Sequence, residues 1–140
     1  AGLAWYELSN WSKPGHECQH NIAYWKSANW WGLGPGAHSH IDKKRFWNVK
    51  HPTAYKQKLF AKESPIADSE DLTDEQLRDE SIMLAIRMRS GLSLDLLSSA
   101  AQERVMQYQS SGHLNQIDGK LQLTAQGRMI ADRLVREALG

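Results

Sequence analysis

The sequence predicts an α+β fold, with strands in the first half of the chain and mostly helices in the second half. Leu3 to Leu8 and Arg45 to Val49 have the composition of short strands. Apolar residues from Leu77 to Met88 recur at helical spacing. Asp118-Gly119 lies between two short apolar segments, a pattern typical of a two-residue hairpin. The second half therefore has the order helix, helix, helix, hairpin, helix, which is that of a winged-helix-like domain.

Composition is that of an ordinary globular protein. Of the 140 residues, 41% are hydrophobic and 24% are charged. A chain of this length is enough for one domain, or for one domain with part of another. No apolar run approaches the roughly 20 residues of a membrane span, and no signal-peptide pattern is present, so we expect a cytoplasmic protein. The single cysteine, Cys18, excludes an internal disulfide and a Cys-ligated iron–sulfur cluster.

The other elements of the first half are short. Asn10 to His16 is expected to be a loop, and Ile22 to Ser27 a short helix or an irregular turn. Gly32 to Gly36 cannot form a regular helix or a central strand. A helix is expected from Pro52 to Ala61.

The second half begins after a polar segment, Ser64 to Asp71, that is expected to be a linker. Thr73 and Gln76 then form a capping box, and the long helix that follows is expected to end at Gly91. The remaining elements are short helices at Ser93 and at Gln102 to Ser110, a hairpin of Leu114 to Ile117 with Lys120 to Leu123, and a last helix capped by Thr124.

Charged and aromatic residues are unevenly distributed along the chain. Residues 1–65 carry nine Lys or Arg against four Asp or Glu, and residues 66–140 carry eight against twelve. All six tryptophans and five of the six histidines lie in the first 51 residues. Imidazole groups bind metals, and indole rings pack against flat ligands. We therefore expect the functional residues in this basic half.

A metal site is one interpretation of the histidines. His16, Cys18 and His20 form an HxCxH cluster, and His38 with His40 forms an HxH pair. Residues two apart on a strand share a face, so the first three would converge if that segment were extended. The sequence does not supply the closed four-ligand set of a structural zinc site. Loop histidines bonded to the backbone are favoured, and zinc is the minor hypothesis.

Gly32, Gly34 and Ala37 match the letters of the GxGxxA dinucleotide-binding fingerprint. That fingerprint requires a buried strand before it and a helix after it. Trp30-Trp31 precede the glycines, and His38 to Lys44 lacks an apolar helical face, so neither condition is met. A corner between packed elements is favoured, and a loop that closely approaches a ligand stays open.

The winged-helix-like order also suggests nucleic-acid binding, which requires a basic recognition helix and wing. From Ser93 to Leu123 there are only two basic residues, Arg104 and Lys120, against three acidic ones. The surface that would face DNA is therefore slightly acidic, and we expect no nucleic-acid partner.

Several motifs together resemble those of one family. They are YELSN at Tyr6 to Asn10, KPGHE at Lys13 to Glu17, HNIAYW at His20 to Trp25, GLGPGAHS at Gly32 to Ser39, RFWNVKHPTAY at Arg45 to Tyr55, LAIRMRSGL at Leu84 to Leu92 and LQLTAQG at Leu121 to Gly127. The family is the HemW-type radical S-adenosylmethionine (SAM) heme chaperones, also described as oxygen-independent coproporphyrinogen III oxidase-like. The resemblance covers essentially the whole chain. HNxxYW is its most specific motif, because it is associated with the chaperone branch and with heme binding.

The resemblance implies a fragment that completes a radical SAM partial barrel and adds a mostly helical, winged-helix-like C-terminal domain. Residues 1–62 would complete the barrel, residues 63–72 would form the linker and residues 73–140 the C-terminal domain. In such proteins a CxxxCxxC motif on the barrel binds a [4Fe–4S] cluster and SAM. This chain lacks that motif and Cys18 does not replace it. The cluster and SAM are therefore expected only in the full-length parent, and the fragment alone should be inactive.

The resemblance also implies heme binding, with His20 as an axial ligand or close contact of the heme iron and His16 and His38 as competing ligands. The residues expected to contact cofactor, none of them catalytic, are His20, Asn21, Tyr24, Trp25, Gly34, Gly36, Ala37 and His38. The cations available for the heme propionates are Lys26, Lys43, Lys44 and Arg45.

The expected partners are heme or porphyrin, the N-terminal radical SAM barrel of the same protein, and a heme-accepting protein. Membrane association is expected only through that acceptor. A second hypothesis is an oxygen-independent coproporphyrinogen III oxidase, which oxidatively decarboxylates two propionates of a porphyrinogen, and HNxxYW argues against it. A third is a winged-helix DNA regulator, which the charges of the second half argue against.

Overall fold

A computed structural model describes residues 2–140 of the chain. These residues form two compact units. The terminal unit contains the residues up to Lys26 together with Arg78–Gly140, and the middle unit contains Ser27–Leu77. Helices and strands are both present, as the predicted α+β class requires. No helix in the described part of the chain is long and apolar enough to cross a membrane.

The secondary structure consists of short elements. In chain order the strands are β1 (Ala4–Glu7), β2 (Asn10–Ser12), β3 (His38–Ile41), β4 (Lys44–Asn48), β5 (Ile66–Asp71), β6 (Leu92–Ser93), β7 (Leu114–Ile117) and β8 (Lys120–Leu123). The α-helices are α1 (Gln19–Trp25), α2 (Pro52–Phe60), α3 (Asp74–Ala85), α4 (Ser99–Ser110), α5 (Ala125–Arg128) and α6 (Ala131–Leu139), and a 3-10 helix, Leu94–Leu96, precedes α4.

β1 and β2 form an antiparallel hairpin in which Trp5 lies opposite Trp11. β1 confirms the strand predicted at Leu3 to Leu8. The loop predicted for Asn10 to His16 was wrong in its first three residues, which pair with β1. A strand this short shows no alternation that the sequence could reveal.

The main apolar core lies in the terminal unit, where α3, α4 and α6 pack against the sheet β6-β8-β7. The predicted β7-β8 hairpin is confirmed. Asp118 and Gly119 have φ values of +49° and +74°, and a type I′ turn requires both to be positive. The buried side chains of this core are Ile82, Ile86, Leu92, Leu97, Ala101, Val105, Leu114, Leu121, Leu123, Ala131, Leu134, Val135 and Ala138.

The capping box predicted at the start of α3 is present. The Gln76 N–H donates to Thr73 Oγ1 at 3.2 Å, and the Thr73 N–H donates to Gln76 Oε1 at 2.8 Å. The helix ends at Ala85 rather than at Gly91. Gly91 has a φ of +79°, but it permits close packing instead, since a Cβ atom there would lie 2.7 Å from the Leu121 carbonyl oxygen.

Two other predictions in the second half were wrong in detail. The short helix expected at Ser93 is a single 3-10 turn, Leu94–Leu96, with Ser93 as its N-cap residue, and Ser93 also pairs with Lys120 of β8. Thr124 caps α5 by accepting a hydrogen bond from the Gly127 N–H. A break after α5 divides the single last helix that was predicted into α5 and α6. The helix predicted from Gln102 to Ser110 is confirmed as part of α4.

The middle unit is built on a three-stranded antiparallel sheet in the order β3-β4-β5. β4 and α2 confirm the strand and helix predicted there. β5 occupies most of the linker predicted at residues 63–72, because it pairs with β4. All six residues of this edge strand are exposed, so its sequence carries no apolar alternation that would indicate a strand.

Candidate functional site

Helix α1 presents His20 and Tyr24 on one face, because residues four apart are neighbours on a helix. Their ring centroids are 4.9 Å apart and the ring planes meet at 81°. Both side chains are exposed. Of the alternatives left open for Ile22 to Ser27, the helix is correct, and it begins at Gln19. An accessible imidazole beside an aromatic ring is an arrangement that can bind the iron of a planar ligand.

Asn21 and Trp25, the other two predicted residues of α1, are half-buried. The Asn21 side-chain amide donates to the Tyr6 hydroxyl of β1 at 3.4 Å. This long hydrogen bond connects α1 to the hairpin of the same unit. Asn21 therefore orients the helix, while His20 and Tyr24 are accessible to a ligand.

His16 and Cys18 do not lie on a common strand with His20. Cys18 immediately precedes α1, where its φ and ψ are −66° and 102°, and His16 lies in the loop before it. Among residues 2–140, no group of three or more His, Cys, Asp or Glu side chains is arranged to hold a metal ion. The converging geometry on which the zinc hypothesis depended is therefore absent from the described residues.

The glycine loop is a tightly bonded corner in the middle unit. The N–H groups of Gly32, Gly34, Gly36 and Ala37 donate, in that order, to Ser39 Oγ, the Tyr55 hydroxyl, the Val49 carbonyl and the Gly34 carbonyl. A Cβ atom at Gly32 would lie 2.0 Å from the His38 carbonyl oxygen, so glycine is required there for close approach. A phosphate site needs N–H groups directed at the ligand, and these four are already used.

The HxH pair contains two histidines in different environments. His38 is exposed and stacks on Trp47, with ring centroids 5.6 Å apart and planes at 28°. His40 is buried at 1% exposure, and its ring lies 4.9 Å from that of Trp30. Neither ring nitrogen of His40 has a hydrogen-bond partner among the described residues. The sequence did not distinguish these two residues, because side chains two apart on a strand are expected to share a face.

The eight predicted contact residues fall into two groups. His20, Asn21, Tyr24 and Trp25 lie together on α1 of the terminal unit, whereas Gly34, Gly36, Ala37 and His38 lie together in the middle unit. Each group is local in sequence, because each lies within one of the two motifs, HNIAYW and GLGPGAHS, that carry the family resemblance.

Glu7 is a buried residue that the sequence analysis did not single out. Its side chain is 0% exposed. Its carboxylate accepts hydrogen bonds from the Ser9 N–H at 3.2 Å and from the Asn10 side-chain amide. The polar Ser-Asn pair directly after Glu7 is the sequence signal that could have indicated a carboxylate bonded within its own turn.

Arg128 is a second functional candidate that the sequence analysis missed. Its guanidinium lies 4.7 Å from the ring centre of Trp5 and 5.8 Å from that of Trp11. Both tryptophans belong to the β1-β2 hairpin, more than a hundred positions away in sequence. No local pattern connects residues so far apart, so only the fold shows the cation–π contact.

Comparison with known proteins identifies the relatives of this chain. Residues 72–130 match the HemN C-terminal domain family. Over all 140 residues the chain is 46% identical to the heme chaperone HemW of Mycobacterium tuberculosis (strain CDC 1551 / Oshkosh), of which it covers 36%. The chain is a homologue of the HemW heme chaperones. It is also 39% identical over 105 residues to HemW of Synechocystis sp. (strain PCC 6803), a match that spans 73% of this chain and 25% of that protein.

The fold has a relative among solved structures. Coproporphyrinogen III oxidase (HemN) from Escherichia coli, described as a radical SAM enzyme, matches with a TM-score of 0.70 over 97% of this chain and 37% of that one. The sequence identity is 15%, so this likeness shows the fold alone. All 140 residues of this chain align with HemW of Mycobacterium tuberculosis, but they span only about a third of the length of that protein.

Proposed function

We propose that this chain is the C-terminal region of a radical SAM heme chaperone and that α1 contributes to its heme site. The observation that carries the proposal is the exposed His20 beside Tyr24, within an HNIAYW motif, in a chain 46% identical to a heme chaperone. The proposed role is heme binding and transfer in porphyrin and heme metabolism.

The side chains of α1 suit one face of a heme. An axial ligand must present an unhindered imidazole nitrogen to the iron, and the macrocycle needs apolar or aromatic surface beside it. His20 is exposed at the start of the helix and Tyr24 provides an aromatic ring one turn later. Lys26 follows the helix and has no ion pair among the described residues, so it is the cation best suited to a propionate.

Two other lysines suit a propionate less well. Lys43 Nζ is 2.5 Å from an Asp74 carboxylate oxygen, and Lys44 Nζ is 3.9 Å from one of Asp71. A propionate would have to displace these carboxylates, which lowers the gain from either contact.

The glycine-loop residues have a more limited proposed role. Because their N–H groups are already bonded within the unit, Gly34, Gly36 and Ala37 would line a ligand cavity without donating backbone hydrogen bonds to the ligand. His38 is exposed and held against Trp47, so its ring is the polar group of this loop best placed to face a ligand.

The remaining parts of the proposal concern the whole parent protein. One cysteine, Cys18, cannot hold a [4Fe–4S] cluster, so the cluster and SAM would be bound by the N-terminal barrel, which residues 1–62 would complete. The C-terminal helices with the β7-β8 hairpin would form the winged-helix-like domain, used for packing or docking rather than for DNA. A heme-accepting protein would be a further partner. The full-length parent protein would be located in the cytoplasm, and it would contact a membrane only through that acceptor.

A coproporphyrinogen III oxidase is the alternative function, and the match of residues 72–130 to the HemN C-terminal domain family is the observation that favours it. An assay of the full-length protein for protoporphyrinogen formation separates the two. A chaperone should bind heme without this turnover, whereas measurable turnover would support the oxidase.

The assignment to α1 is tested by titrating heme into the full-length protein and following its Soret band. His20→Ala is expected to weaken binding by about tenfold or more and to change the spectrum, because an iron–imidazole bond is lost. His16→Ala and His38→Ala test the two competing ligands. His51→Ala is the matched control, since His51 is an exposed histidine outside both groups.

Circular dichroism distinguishes loss of the ligand from loss of the fold, and it should show that each variant is folded. Unchanged affinity and an unchanged Soret band in folded His20→Ala would show that His20 is not the ligand. A loss confined to His16→Ala or His38→Ala would transfer the assignment to that residue.

A further inference from the structure

A cleft in the terminal unit concentrates arginine side chains. It has a volume of about 310 Å³ and is lined by Arg128, Arg133 and Arg136, together with Leu8 and Met129. The half of the chain that contains the arginines is acidic overall, with eight basic residues against twelve acidic ones. Three arginines around one cleft therefore make a positively charged site within a half of the chain that is negatively charged overall. We propose that this cleft binds an acidic segment of a partner protein, which goes beyond heme binding and does not depend on it.

Arg128 is held in place before any partner binds. Its guanidinium lies over the rings of Trp5 and Trp11, at 4.7 Å and 5.8 Å from their centres. It has no carboxylate partner among the described residues. A guanidinium stacked on aromatic rings keeps its N–H donors in its own plane free for a carboxylate. Because the side chain is already ordered, binding costs less conformational entropy.

The other charges in the cleft leave it positive. Asp132, the acidic residue in its lining, has its carboxylate 2.7 Å from Arg87. Arg133 is 4.0 Å from Glu137, which is a weak contact for an exposed pair. Arg136 has no ion pair within the described part of the chain. Two guanidinium groups, those of Arg128 and Arg136, are thus available without breaking an existing ion pair.

The apolar part of the lining selects among anionic partners. Met129 is 84% exposed, and its flexible thioether adapts to varied apolar side chains. Leu8 contributes a second apolar contact. A broad polyanion, such as duplex DNA or an anionic membrane, would also meet the carboxylates of Asp132 and Glu137 on α6. A short peptide can place carboxylates at the arginines and one apolar side chain at Met129, so the charge pattern favours a peptide.

The test measures fluorescence anisotropy of a fluorescein-labelled peptide, Gly-Glu-Asp-Leu-Asp-Glu-Gly, mixed with the protein. The neutral probe in which Gln and Asn replace Glu and Asp is the matched peptide control. The acidic probe is expected to bind more tightly than the neutral one and to weaken as salt is added, because exposed charges are screened. Arg136→Gln is expected to reduce its affinity by about three- to fivefold, as for the loss of one solvent-exposed charge contact.

Two further variants keep the result interpretable. Lys120→Gln removes an exposed positive charge outside the cleft and should change the affinity by less than about twofold, as expected for a distant screened charge. Arg128→Lys keeps the charge but loses the planar donor group, so it should weaken binding although the net charge is unchanged. Thermal melting followed by circular dichroism verifies that each variant is folded.

Several outcomes would overturn the proposal. They are equal binding of the acidic and neutral probes, equal losses from Lys120→Gln and Arg136→Gln, and no binding of the acidic probe at millimolar concentration. Binding of short duplex DNA, or of vesicles of phosphatidylcholine and phosphatidylglycerol in equal parts, with no binding of the acidic peptide would also overturn it. Heme titration of Arg136→Gln should be unchanged, which separates this proposal from the heme site.

Discussion

At the scale of single residues, Gly127 is a position where the surrounding backbone leaves no room for a side chain. A Cβ atom there would lie 1.9 Å from the His113 carbonyl oxygen, which belongs to the backbone before β7. Backbone cannot move aside as a flexible side chain would. We expect Gly127→Ala to lower the free energy of unfolding by about 3 kcal/mol, near the upper end of typical overpacking costs. Urea denaturation measures this change.

Gly119→Ala is the matched control for that substitution. Gly119 has a φ of +74°, and no other group lies within 4 Å of the position that the alanine methyl would occupy. Only the backbone conformation opposes alanine there, at a cost of about 1–2 kcal/mol. An equal or smaller loss for Gly127→Ala would show that α5 shifts to accept the methyl group.

Residue-level features were predictable from the sequence when the partners are close along the chain. The capping box of Thr73 and Gln76 and the hairpin turn at Asp118-Gly119 depend on spacings of three residues or fewer, and the structure confirms both. The contact of Arg128 with Trp5 joins opposite ends of the sequence. No local periodicity encodes such a pair, so it required the fold.

At the scale of elements, the first turn of α3 is stabilised by a charge from a neighbouring hairpin. The hydrogen bond from Lys43 Nζ, followed by its positive charge, lowers the pKa of Asp74 below its usual value. A carboxyl group with a lowered folded pKa stabilises the fold above its unfolded pKa, and this contribution is lost as pH falls through the folded pKa. Lys43→Gln is therefore expected to raise the pKa of Asp74 toward its ordinary value, as measured by NMR titration of the carboxyl carbon.

Lys44→Gln provides the control for this titration. Lys44 pairs with Asp71 at 3.9 Å rather than with Asp74, so this variant should leave the pKa of Asp74 nearly unchanged. If Lys43→Gln also left it unchanged, the contact at the start of α3 would not be populated in solution.

Two of the strands that sequence analysis missed share a physical cause. β2 is three residues long, and every residue of β5 is exposed. Strand prediction depends on alternation between a buried and an exposed face, and neither element has a buried face long enough to show it. In β4 the alternate residues Phe46 and Asn48 are both buried. The sequence predicted that strand correctly.

At the scale of the whole molecule, the number of thiols limits the chemistry of this chain. A [4Fe–4S] cluster needs several cysteine ligands, and Cys18 is the single cysteine. We expect the purified 140-residue chain, after incubation with iron and sulfide, to show no stable cluster absorption and no cleavage of SAM. A chromophore with stoichiometric iron would contradict this expectation. An otherwise identical sample with Cys18→Ser controls for iron bound nonspecifically to the single thiol.

The two units should also differ in stability. The terminal unit contains the continuous apolar core from Ile82 to Ala138, whereas Phe46 and Leu72 are the buried hydrophobic residues of the middle unit. Because buried apolar area is the dominant stabilising contribution, the middle unit should open at lower free energy. Hydrogen exchange should therefore be slowest for amides of β8, α4 and α6, and faster for amides of β3 to β5.

Limited proteolysis gives an independent measure of the same difference. The first cleavage is expected at residues 61–64, between α2 and β5, where all four residues are exposed and outside regular structure. The paired strands on either side should resist longer, because cleavage requires an extended, unpaired backbone. Two results together would contradict this expectation: amides of β4 that exchange as slowly as those of α6, and first cleavage inside α6. The middle unit would then be the more stable one, and apolar burial would not decide the order of opening.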